Sequence, residues 1–207
     1  MIRPEGFRAT AFSSAWEGDA RADRGARFAL AARLGIPPRW ATVRQVHGSR
    51  VVEATGSGLL ADADGLLTRR AGLPISVATA DCLPIAVECE RGVGMVHAGW
   101  RGLAAGVVET LLEALQSAGL EPHRAAIGPG IGPCCFQVGP EVAAHFPHRQ
   151  SGTSWGAPSV DLWGAAEDAL SGIPVWRSDR CTRCRPEYFS YRRDGTAGRQ
   201  VAVAWLP

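Results

Sequence analysis

Ile75-Ser76-Val77-Ala78-Thr79-Ala80-Asp81-Cys82-Leu83-Pro84-Ile85-Ala86-Val87-Glu88-Cys89 holds two apolar runs of strand length, Ile75–Thr79 and Pro84–Cys89, parted by Asp81-Cys82. Short apolar runs of this kind, bounded by polar or turn residues, read as strands. A third run, Gly94–His97, follows, and then the loop Ala98-Gly99-Trp100-Arg101-Gly102. Beyond it Val107, Val108, Leu111, Leu112 and Leu115 recur at helical spacing, which predicts a helix over Leu103–Ala118 closed by Gly119. Strand-length runs alternating with helical patterns place the chain in the α/β class.

Working outward, further strands are expected at Ala41–Val46, Arg50–Ala54, Ala125–Gly128, Ile173–Arg177 and Gln200–Leu206. A helix is expected near Arg21–Leu34, with Asp19 upstream as its cap and Gly35-Ile36-Pro37 as its stop, and another near Leu162–Leu170. The Gly/Ser-rich stretch Gln150–Pro158 reads as a surface loop, and Arg177–Arg199 as Arg-rich and mostly irregular. With no internal repeat and no linker, residues 1–207 are expected to form one domain.

Composition excludes some functions. The net charge of +2 is too small to argue for nucleic acid, and no apolar stretch approaches the roughly 20 residues of a membrane span. All 22 basic residues are Arg, which reads as genome composition rather than function. The opening MIRPEGFRAT lacks the apolar core of a signal peptide, so a cytoplasmic location with six reduced thiols is expected.

Three side chains competent to bind a metal fall at strand-to-loop junctions: His47 after Ala41–Val46, Cys82 after Ile75–Thr79, and His97 at the end of Gly94–His97. Sites of α/β folds gather at such junctions. Two imidazoles and a thiolate suit zinc, and three protein ligands leave a fourth position for water or substrate. Spacing alone is a weak signal here and also allows three unrelated residues, with Cys82 filling the core and each histidine bonded to a backbone carbonyl. Cys181-x-x-Cys184 resembles half of a structural zinc site, but the adjacent pair Cys134-Cys135 makes a poor second half. Gly128-Pro129-Gly130-Ile131-Gly132-Pro133 matches neither G-x-G-x-x-G nor the P-loop. Arg101 precedes a helix start, where phosphate is favoured, although a surface ion pair explains it as well. The H-x-E and P-C-x-x-C signature of zinc nucleobase deaminases is missing.

Five segments in order resemble the signatures of the laccase-domain family, the YfiH-type, polyphenol-oxidase-like purine nucleoside phosphorylases. They are Gln45-Val46-His47-Gly48, Thr79-Ala80-Asp81-Cys82-Leu83-Pro84, His97-Ala98-Gly99-Trp100-Arg101-Gly102, Ile127 through Gly139, and Phe189-Ser190-Tyr191-Arg192-Arg193-Asp194-Gly195. The resemblance runs from about residue 40 to the last residue. It implies an α/β fold with a mixed sheet and flanking helices, shared with a bacterial deamidating toxin, and a metal site at His47, Cys82 and His97. It also implies phosphorolysis of adenosine, inosine, guanosine and methylthioadenosine, together with adenosine deamination. One segment departs from the family: Ala11-Phe12-Ser13-Ser14-Ala15-Trp16-Glu17-Gly18-Asp19 is short and lacks the usual Thr-Arg-x-Gly-Gly-x-Ser.

On this reading zinc is the cofactor, with copper able to bind in vitro. Purine nucleosides and phosphate are the partners, with neither nucleic acid nor membrane. Arg101 balances phosphate charge and Arg192 contacts substrate. Asp81 either moves a proton or orients a ligand histidine. Three other readings stay open: a cysteine hydrolase or amidase using Cys82 and His97, a copper-binding phenol oxidase, and a non-catalytic binding protein. Five histidines are too few for the coupled copper centres of a true laccase.

Overall fold

The runs Ile75–Thr79 and Leu83–Cys89 are both strands, but they belong to different sheets. The computed structural model describes residues 1–207. In chain order the strands are β1 (Thr10–Phe12), β2 (Ala41–Arg44), β3 (Val51–Glu53), β4 (Gly58–Asp62), β5 (Gly65–Thr68), β6 (Ile75–Thr79), β7 (Leu83–Cys89), β8 (Gly92–Ala98), β9 (Pro122–Ile127), β10 (Gln150–Gly152), β11 (Pro158–Val160), β12 (Val175–Arg177) and β13 (Gln200–Ala204). The helices are α1 (Arg24–Leu34), α2 (Trp100–Ala104), α3 (Val107–Ser117), α4 (Pro140–Ala143), α5 (Leu162–Ala169) and α6 (Tyr191–Asp194).

Strands β1-β13-β6-β2-β4 form one mixed sheet and β12-β9-β7-β8-β5-β3 a second, while β10 and β11 pair by themselves. Three apolar clusters bind the layers. One joins the two sheets through Phe12, Val43, Ile75 and Val77 on one side and Leu66, Val93 and Met95 on the other. The second packs the outer face of the six-stranded sheet against α3 and α5. The third packs α1 on the outer face of the five-stranded sheet. The order is thus helix, sheet, sheet, helices. Strand β7 is buried along its whole length because both of its faces are covered, which explains its unbroken apolar run.

The α/β expectation holds, with two mixed sheets. The expected helix Leu103–Ala118 is two helices, because Gly106 adopts a left-handed φ of 76° between α2 and α3. Its end is as expected: Gly119 is left-handed, and the Leu120 N–H closes onto the Leu115 carbonyl. Helix α1 begins at Arg24, where Asp23 accepts from the Gly25 and Ala26 N–H groups. Asp19, the expected cap, instead accepts from Arg21 and Ala22 in the turn before it. Gln150–Pro158 is a small hairpin rather than an open loop. Strands β1, β4 and β5 were not expected. Strand β4 is an edge with Leu59 and Leu60 exposed, so it carries no inward-outward alternation to read. No helix is long and apolar enough to cross a membrane.

Candidate metal centre and substrate cleft

The chain crosses between the two large sheets at Ala80-Asp81-Cys82, between β6 and β7, and again at Ala63-Asp64, between β4 and β5. His47 lies just beyond the end of β2, in the first sheet, and His97 is the penultimate residue of β8, in the second. These crossings bring the His47, Cys82 and His97 ligand atoms within 4.8 Å of one another. The two imidazoles meet edge to face, with centroids 4.8 Å apart.

Each of these candidate ligands has a local cause. Strand β2 pairs with β6 only at Ala41 and Ile75, so the ladder has ended before Gln45. The Gln45 side-chain amide takes over: its Nε2 donates to the Ala78 carbonyl at 2.7 Å and its Oε1 accepts from the Ala78 N–H at 2.8 Å. His47 then turns back with a left-handed φ of 62°. Asp64 holds this turn, accepting from the Val46, His47 and Gly48 N–H groups. The same buried carboxylate lies 2.8 Å from His97 Nδ1, which leaves Nε2 as the free ring nitrogen. Gly99 admits the whole arrangement, since a Cβ there would lie 3.0 Å from Cys82 Sγ and 3.2 Å from His47 Cδ2. Only three non-glycine residues have positive φ, and His47 and Asp81 are two of them. Such strain concentrates at functional sites.

The electrostatics follow from the neighbours. Burial would raise the Cys82 thiol, but His97 and His47 outweigh it and bring the pKa down to about 6. Burial would lower that of His97, but the Cys82 thiolate and Asp64 raise it to about 9. Burial likewise opposes ionisation of Asp64, yet the hydrogen bond from His97 and the Gly48 and Val46 N–H groups hold its carboxyl below the ordinary range. Two imidazoles and a thiolate at this spacing fit a divalent metal ion with one position left open.

The remaining expected residues line one cleft of about 610 Å³ that includes the triad. Orienting a candidate ligand histidine was one of the two roles foreseen for Asp81, but the carboxylate bonded to His97 is that of Asp64. Asp81 Oδ1 accepts from Thr182 Oγ1 and Oδ2 from the Arg192 N–H, both at 2.6 Å, so its carboxylate ties two loops together at the cleft wall. The Arg192 guanidinium donates to the Gln137 carbonyl and lies over the Phe136 ring. Arg101 sits in the five-residue α2, not at the head of a long helix. It makes no ion pair; its guanidinium lies 4.4 Å over the Trp100 ring. Sequence reasoning missed Asp64, whose place between two strands gave no periodic signal, and the cleft-lining Arg21, Arg44, Tyr191 and Arg199. It also set Cys134-Cys135 apart from Cys181 and Cys184, yet all four sulfurs converge.

The family described as multi-copper polyphenol oxidoreductase laccase matches residues 5–207. The chain belongs to this laccase-domain family. Among its relatives, a protein of Streptomyces griseus named purine nucleoside phosphorylase is 38% identical over 91% of this chain and 84% of its own length. One of Deinococcus radiodurans with the same name is 39% identical over 87% of this chain and 76% of its own. Among solved structures, YlmD from Geobacillus stearothermophilus is 31% identical with a TM-score of 0.80, covering all of this chain and 89% of its own. The YfiH protein of Bacillus licheniformis is 27% identical with a TM-score of 0.82, over 91% of this chain and 82% of its own. The laccase-domain match also takes in the short N-terminal segment, whose following turn supplies Arg21 to the cleft.

Proposed function

We propose that this protein is a zinc-dependent purine nucleoside phosphorylase. The observation that carries the reading is one cleft joining the His47–Cys82–His97 triad to arginines that include the unpaired Arg101. The names of the relatives support the same reaction class. A phosphate oxygen attacks the anomeric carbon of the ribose, the bond to the purine nitrogen breaks, and the departing base takes a proton. Arg101, free of any protein acceptor, holds the phosphate dianion. The Trp100, Phe136 and Tyr191 side chains along the cleft offer flat apolar surface for a purine ring. Asp81 keeps the Thr182 and Arg192 loops in place and is the acidic group available in the cleft to exchange a proton with the base. Bound zinc would supply positive charge to polarise the substrate. Only two of the five histidines join the triad, so the coupled copper centres of a phenol oxidase lack ligands.

Adenosine, inosine, guanosine and methylthioadenosine are the substrates to test, each with and without phosphate, with products separated by chromatography. Adenosine with phosphate is expected to give adenine and ribose 1-phosphate, and inosine formation would reveal the accompanying deaminase activity. Base release that ignores phosphate, or no turnover of any purine nucleoside, would overturn the proposal. A second reading, a cysteine hydrolase, is favoured by one observation: the His97 imidazole lies beside the Cys82 thiol, within 4.8 Å between ligand atoms, and the neighbouring imidazoles lower the pKa of that thiol.

A further inference from the structure

On the far side of the Asp81–Thr182 contact lies a second group of metal-competent atoms, distinct from the triad. Cys134, Cys135, Cys181 and Cys184 bring their sulfurs within 4.8 Å of one another, with Cys135 Sγ 3.3 Å and Cys134 Sγ 3.7 Å from Cys184 Sγ. All six cysteines of the chain are free thiols. A tetrahedral zinc ion with zinc–sulfur bonds of about 2.3 Å sets its sulfurs about 3.8 Å apart, close to this spacing and far from the roughly 2 Å of a disulfide.

The backbone explains how adjacent cysteines can serve one ion. Residues 133–135 form a turn in which the Cys135 and Phe136 N–H groups both donate to the Gly132 carbonyl. In an extended strand Cys134 and Cys135 would point to opposite faces; in this turn both sulfurs face Cys184. Cys181 is brought in by a parallel bridge to Gly130, with the Thr182 N–H donating to the Gly130 carbonyl. The surroundings suit sulfur that carries negative charge. The Gly132 N–H donates to Cys181 Sγ at 3.3 Å, and Arg183 Nη1 donates to Cys135 Sγ at 3.5 Å while its guanidinium lies over the Trp155 ring. Donors of this kind stabilise metal-bound thiolates.

We propose that these four cysteines form a structural zinc site that clamps the 130–137 loop to the 181–184 loop. On binding, the four thiols release their protons to solvent and each sulfur donates a lone pair to the ion; no redox change takes place. The site lies next to the cleft wall. Thr182, beside Cys181, donates to Asp81, and Arg193 Nη1 donates to the Thr182 and Arg183 carbonyls. The ion therefore fixes the loops that Asp81 ties together.

The test is zinc content of the full-length protein, freshly purified under reducing conditions, by elemental analysis. Wild type is expected to hold about two zinc ions per chain. Cys184→Ser, at an exposed position, should lose about one ion while keeping the ion of the triad, which also shows that the variant is folded. His47→Ala should lose the other, and the double variant both. In wild type loaded with cobalt(II), thiolate-to-metal charge-transfer absorption should fall sharply on Cys184→Ser and only modestly on His47→Ala. Unchanged metal content in Cys184→Ser overturns the proposal. So does a disulfide among these cysteines in the fresh protein, read as a two-dalton loss in intact mass. Unchanged content in His47→Ala would instead count against the triad as a metal site and leave the four-cysteine site standing.

Discussion

His97 Nδ1 and Asp64 Oδ1 lie 2.8 Å apart, and the remaining donors to that carboxylate are the N–H groups of the His47 turn. One buried acid therefore orients two of the three candidate ligands. Replacing Asp64 by Asn keeps the shape but turns an amide N–H toward groups that are themselves donors. Partners of this kind contribute about 10–100-fold to metal affinity. Asp64→Asn is expected to lower zinc affinity in a chelator competition by about that factor, with the far-ultraviolet circular dichroism unchanged. Wild-type affinity would show that the carboxylate is a fold element only.

Arg101 is the second target, because its charge has no acidic partner in the protein and rests only over the Trp100 ring. Arg101→Ala should raise KM for phosphate by roughly 10–150-fold, the value of about 1.5–3 kcal/mol for a hydrogen bond to a charged group. KM for the nucleoside should change much less. An equal loss toward both substrates would remove any special link between Arg101 and phosphate.

Separating the metal reading from the cysteine hydrolase needs His47, since both require Cys82 and His97. A two-residue dyad has no use for a second imidazole, whereas a three-ligand site does. His47→Ala should lose turnover, and zinc added after chelation should restore it in wild type. Alkylation of Cys82 should be slow until the metal is stripped, because the thiolate is engaged. Fast alkylation of active protein at Cys82, together with a fully active His47→Ala variant, decides for the hydrolase.

Glu17 gives a pH prediction away from the site. Burial would raise its carboxyl, but the Ser14 N–H and hydroxyl, both at 2.8 Å, together with the Met1 ammonium at 3.0 Å, outweigh this and hold the pKa at about 2, against 4.5 ordinarily. Arg33 donates to the other oxygen at 2.9 Å. A carboxyl whose pKa is lowered on folding stabilises the protein above its unfolded value. That stabilisation fades as pH falls from about 4.5 to about 2. Glu17→Gln should melt about 3 °C or more below wild type at pH 7, since about 1 kcal/mol moves Tm by about 2–4 °C in a chain of this size. The gap should close as pH falls from 4.5 toward 2. A gap that stays constant over that range assigns the effect to packing.

The sequence made some of this legible and hid the rest for physical reasons. Strand β6 was readable to the residue because five apolar or small residues end cleanly at Ala80-Asp81. The break at Gly106 was not, because Val107, Val108, Leu111 and Leu115 keep helical spacing on the far side of it. His47, Cys82 and His97 stood out by residue type and position. Asp64 did not, since a buried acid is defined by the donors that surround it, and these come from residues 46–48 and 97. The convergence of the four cysteine sulfurs was not legible from linear spacing, because a turn lets neighbours in sequence face the same way.

The triad spans the joint between two sheets: His47 belongs to the end of one, His97 to a strand of the other, and Cys82 to the segment that passes between them. An occupant bound to all three works as a rivet through two stacked plates. Its binding free energy is then charged against any motion that slides or parts them, by about 4 kcal/mol when free ligand stands about 1,000-fold above its dissociation constant. Amide hydrogen exchange along β2 and β8 would therefore slow together on filling the site, two strands in different sheets answering to one ion.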